Sequence, residues 1–146
     1  MKNKREHIDN YKNDFIESWN LIEQFYSEYP DSDKPFKNDA LRLISEMRDL
    51  GIDEKLRVGQ SLWFFLLSRN RNYGLDKEPH IRIAFLGNNK MSINSNLYGE
   101  EINQESEVKY SGYLEKMINK LLEKKIIWNE YGDDDFDLLF NSLDND

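Results

Sequence analysis

The sequence predicts an α+β fold with three N-terminal helices, an antiparallel β-hairpin or small three-stranded sheet, and one or two C-terminal helices. Three observations predict it. Apolar residues recur at steps of three and four over 8–29 and 36–50, the period drops to two after Pro79, and helical spacing resumes after Gly112. At 146 residues the chain suffices for one domain with a continuous core. Residues 1–146 are therefore read as a single domain, with 133–146 an acidic C-terminal segment that forms a short docked helix or stays available to a partner.

The first helix carries Ile8, Tyr11, Phe15, Trp19, Ile22, Phe25, Tyr26 and Tyr29 as one stripe, and Pro30 ends it. Residues 31–35 are polar and hold a second proline, so they read as a connection. The second helix, about 36–50, aligns Phe36, Ala40, Leu43, Ile44, Met47 and Leu50, and Gly51 stands where a left-handed residue closes a helix. A third helix is expected from a cap at Asp53 to Gly74. Its apolar run Leu62–Leu67, which includes Trp63, reads as the buried spine of the fold. A buried strand fits the same run, but the long proline-free span favours helix.

Ile81, Ile83 and Phe85 then alternate with Arg82 and Ala84, and Met91 and Ile93 with Ser92 and Asn94. Gly87-Asn88-Asn89-Lys90 between them holds residue types that accept positive φ, so the two segments read as a hairpin. Residues 95–106 read as a loop, with Val108 and Tyr110 as a further strand. Tyr113, Leu114, Met117, Ile118, Leu121 and Leu122 mark the next helix, and Phe136, Leu139, Phe140 and Leu143 a last amphipathic one.

The net charge of −8 is uneven: residues 1–52 hold 8 Lys/Arg against 11 Asp/Glu, residues 53–90 hold 7 against 4, and residues 91–146 hold 5 against 13. An acidic surface repels phosphate backbones, which argues against nucleic acid and for a basic protein partner. With no cysteine, thiolate ligands, thiol nucleophiles and disulfides are excluded. The polar N-terminus lacks an apolar signal stretch and the six-residue run at 62–67 is far below a membrane span, so a cytoplasmic location is expected.

The sequence points to two sites. Asp133, Asp134, Asp135 and Asp137 lack the order of a calcium loop and read as a helix-start cap or an electrostatic docking surface. Arg69, Arg71, His80 and Arg82 form the basic neighbourhood, where guanidinium forks suit a small anion, although cations at a helix C-terminus also serve to offset its dipole. His7 and His80 have no histidine three or four residues on, and the glycines form no phosphate loop. No metal or cofactor is therefore expected. Ser61, Ser68 and Ser111 lack the glycine-flanked turn of a hydrolase nucleophile.

The first expectation for function is a non-catalytic interaction module whose acidic C-terminal third binds a basic partner. An immunity or inhibitor protein is one form of it, a parallel of size and charge alone. The second expectation is a small-anion binder or enzyme built on Arg69, Arg71, His80 and Arg82.

Overall fold

A computed structural model describes residues 4–30, 34–61, 64–69, 78–97, 102–110 and 112–125. Helix α1 (Lys4–Ser27) and helix α2 (Lys34–Asp49) come first, then a single 3-10 turn at Ile52–Glu54. Five strands follow: β1 (Arg57–Ser61), β2 (Phe64–Ser68), β3 (His80–Gly87), β4 (Lys90–Ser95) and β5 (Ile102–Glu107). Helix α3 (Gly112–Leu122) closes the described chain. The strands lie in sequence order and every neighbouring pair is antiparallel, so the sheet is a meander.

The α+β class stands, but the element count does not. Two helices precede the sheet, one follows it among the described residues, and the sheet has five strands. The expected third helix is instead a hairpin: Ser61 pairs with Phe64, Gly59 with Leu66 and Arg57 with Ser68. In a strand, successive side chains face opposite sides. Phe65 and Leu67 enter the core at 0% exposure, while Phe64 and Leu66 are half-buried on the far face. An apolar run that looks unwetted on every side of a helix is thus a strand occupied on both faces. Asp53 does not cap a helix; its carboxylate accepts from Arg48 Nε at 3.2 Å. Trp63 lies outside the described residues.

The first two helices form much as their patterns imply. Phe15, Trp19, Ile22 and Tyr26 make the buried stripe of α1, and Leu43, Ile44 and Met47 that of α2. Helix α2 begins at Lys34, so Pro35 falls in its first turn, where a missing N–H disrupts nothing. Gly51 adopts φ 77° and its N–H donates to the Arg48 carbonyl at 3.0 Å, closing the helix as expected.

The β3–β4 hairpin also matches, with positive φ at Gly87, Asn88 and Asn89. The segment read as a loop contains β5, and the further strand expected at Val108 and Tyr110 lies earlier, at Ile102–Glu107.

All three helices pack on one face of the sheet. Trp19, Ile22 and Tyr26 of α1, Leu43 and Met47 of α2, and Leu114, Met117 and Leu121 of α3 share one core with Val58, Phe65, Leu67, Ile81, Ile83, Phe85, Met91 and Ile93. The other face carries Phe64, Leu66, Arg82, Ala84, Ser92 and Asn94, each half-buried. A ring cluster joins the helical layer to the sheet, with Tyr26 5.9 Å from Phe85 and 6.3 Å from Phe65 between centroids. Burial pushes the Tyr26 phenol well above its ordinary pKa, and the neighbouring Tyr29 adds to the shift.

Candidate functional site

The basic neighbourhood divides between the two faces of the sheet. Arg69 follows β2 and turns to the helical layer, where its Nη1 donates to the carbonyls of Leu122 at 2.9 Å and Lys124 at 2.8 Å. Leu122 ends α3 and Lys124 lies two residues beyond it, so Arg69 binds the carbonyl end of that helix and offsets its dipole. Burial lowers the guanidinium pKa, opposed by Tyr11.

His80 and Arg82 point to the opposite face. Arg82 Nη2 donates to Asn94 Oδ1 at 3.1 Å, and its guanidinium carbon stands 5.2 Å from the centre of the Phe64 ring, a cation–π contact.

His80 is 4% exposed, and its Nδ1 lies 2.7 Å from the Glu78 carbonyl, which can only accept. Asn96 completes the arrangement: its Oδ1 accepts the His80 N–H at 3.0 Å and its Nδ2 donates to the same Glu78 carbonyl at 2.9 Å. These bonds tie the entry of β3 to the end of β4. His80 and Arg82 therefore share a face, and Arg69 sits on the other side of the sheet. Arg71 and Asp133, Asp134, Asp135 and Asp137 lie outside the described residues.

The two terminal strands differ in how their outward edges are treated. Trp19 Nε1 donates to the Leu56 carbonyl at 2.8 Å, and Ser18 Oγ accepts the Val58 N–H at 3.0 Å while donating to the Phe15 carbonyl at 2.6 Å. Helix α1 thus satisfies the start of the β1 edge with side chains, one of the ways a fold blunts a terminal strand. Beyond that cap lies a depression of about 190 Å³ lined by Ser18, Leu21, Phe25, Val58, Gly59 and Gln60. Sites that enclose drug-sized ligands run to about 300–1,000 Å³, so it is too small to hold one.

Among the described residues no group outside β5 bonds to its outward edge. Val108 N–H donates across the sheet to the Asn89 carbonyl at 3.2 Å, which fixes the direction of its amide toward β4. By the two-residue period, Ser106 and Gln104 face β4 as well, and Asn103, Glu105 and Glu107 face outward. Asn103, Gln104, Glu105 and Glu107 are exposed. Glu107 meets Lys109 at 3.4 Å in a pair that is mostly exposed, and Glu105 has no cationic partner among the described residues. On the same face Ser92 Oγ donates to Asn103 Oδ1 at 2.6 Å.

Sequence reasoning passed over this strand. INQESE has no apolar alternation, because Asn103, Gln104, Glu105 and Glu107 are exposed and no buried face imposes one on them. The available signal was the acidic balance of residues 91–146.

Among the described residues no group of three or more His, Cys, Asp or Glu side chains is placed to hold a metal ion. No helix among them is long and apolar enough to cross a membrane. No protein-family model, curated protein or solved structure matches this chain.

Proposed function

We propose that the protein is a non-catalytic interaction module that binds a basic protein partner through the acidic surface of its C-terminal third. The observation that carries this reading is β5, a terminal strand that exposes Glu105 and Glu107 in the part of the chain where Asp and Glu outnumber Lys and Arg by 13 to 5. Opposite charge on a partner raises the encounter rate and fixes orientation, while like-charged surfaces are repelled. Inhibition of a basic enzyme or toxin, as immunity proteins do, is the specific form that this size and charge suit.

The test is affinity capture by the full chain from its source cells at low ionic strength, followed by association kinetics with the purified partner. The association rate is expected to fall by roughly tenfold or more as salt rises from low to physiological strength. A captured protein whose association ignores salt, or no retained protein at all, removes the reading.

A further inference from the structure

We infer that the basic partner is held by strand addition: an extended, cationic segment pairs with the outward edge of β5 as a sixth strand. The inference rests on the basic-partner reading above and specifies how and where it acts. Among the described residues the sheet ends at β5, and the amide directions put the N–H and C=O groups of Asn103 and Glu105 and the N–H of Glu107 on its outward side. The Glu107 carbonyl accepts from Ser106 Oγ at 2.9 Å, so the docking stretch ends there.

Charge selects the occupant. Glu105 and Glu107 extend from alternate positions and so share one face of the strand, where an added strand would place every second side chain. Lysine or arginine at those positions finds opposite charge directly across the pair. A second copy of this edge would set glutamate against glutamate, which disfavours self-association there. At the other end of the sheet Ser18 and Trp19 already occupy the first outward groups of the β1 edge, so among the described residues β5 is the less occupied edge.

The test uses the full chain and two synthetic peptides of alternating lysine and threonine, identical except that one carries N-methyl groups on the amides of one edge. The methylated peptide keeps the charge but cannot pair through that edge. Two-dimensional amide NMR follows binding at low salt up to millimolar peptide, and hydrogen exchange follows the Asn103, Glu105 and Glu107 amides.

The expected result is slower exchange at those three amides with the unmodified peptide, and binding weakened roughly tenfold or more by methylation. Equal binding of both peptides, without protection at these amides, overturns strand addition and leaves the basic-partner reading standing. Absence of binding by either peptide overturns both. In the Glu105→Lys, Glu107→Lys variant, whose exposed positions leave the core intact, binding of the unmodified peptide is expected to fall by a similar factor; undiminished binding overturns the assignment to β5.

Discussion

Replacing Trp19 by phenylalanine tests how the helical layer is fastened to the sheet. Trp19 is fully buried, its Nε1 donates to the Leu56 carbonyl at 2.8 Å, and its ring meets Phe65 at 6.1 Å between centroids with the planes 73° apart. Phenylalanine keeps most of the ring packing and loses the donor. Leu56 is itself fully buried, so its carbonyl is left without a partner, a loss of about 1–3 kcal/mol. The smaller ring vacates space for about one or two methylene-sized groups, which adds about 1 kcal/mol.

The total of about 2–4 kcal/mol is a large share of the roughly 5–15 kcal/mol by which domains are stable. With an m-value near 2 kcal/mol/M, the urea midpoint followed by far-ultraviolet circular dichroism should fall by about 1–2 M. A midpoint that moves by less than about 0.3 M at unchanged m would refute the reasoning, because the indole donor would then hold nothing.

Further outcomes follow from other bonds. Arg69→Met removes both donors to the end of α3, so thermal melts should show a loss of about 1–3 kcal/mol with faster amide exchange in α3; a change below about 0.3 kcal/mol would contradict the capping role. Asp39→Ala deletes the acceptor of the Asn89 N–H at 3.1 Å in the β3–β4 turn and should cost about 1–2 kcal/mol. Asp39→Asn, which keeps an acceptor, should recover most of that loss in the same urea titration. The raised pKa of Tyr26 acts only at alkaline pH. Both states are protonated below about pH 10, and above it the unfolded chain releases its proton first, so stability falls by up to about 1.4 kcal/mol per pH unit for this group. Tyr26→Phe should make the fall in urea midpoint between about pH 9 and 11 shallower, and an unchanged slope would count against it.

The sequence was legible where burial is one-sided. In α1 and α2 one stripe faces the core, and in the β3–β4 hairpin one face does, so the periods of 3.6 and 2 stand out in Trp19, Ile22 and Tyr26 and in Ile81, Ile83 and Phe85. The turn was legible because Gly87, Asn88 and Asn89 are residue types that adopt positive φ.

Legibility failed at the β1–β2 hairpin and at β5 for opposite reasons. Phe64–Ser68 is apolar on both faces, which erases alternation and makes a strand resemble a buried helix. Gly59 mid-segment was the signal against a helix, since glycine there costs about 1 kcal/mol relative to alanine. At β5 Asn103, Gln104, Glu105 and Glu107 are exposed on either face, so no apolar alternation is imposed there.

The basic neighbourhood shows a different limit. Arg69 and Arg82 stand thirteen positions apart in a basic stretch, yet a sheet one strand thick separates their side chains. Sequence proximity carries no information about which face an arginine leaves by until the strand register is fixed. The end of α3 that Arg69 caps is more than fifty residues away in sequence, beyond the reach of any local pattern.

The central claim is that one terminal strand is capped by α1 and the other offers an acidic, open backbone. Native-state amide exchange on the free protein tests it most directly. The Val58 amide, bonded to Ser18, and the Gln104 and Ser106 amides, directed at β4, should be protected, while the Asn103, Glu105 and Glu107 amides exchange at rates close to those of an unfolded chain. Protection of Asn103, Glu105 and Glu107 equal to that of Gln104 and Ser106 would show the β5 edge to be covered in the free protein, and would contradict the claim.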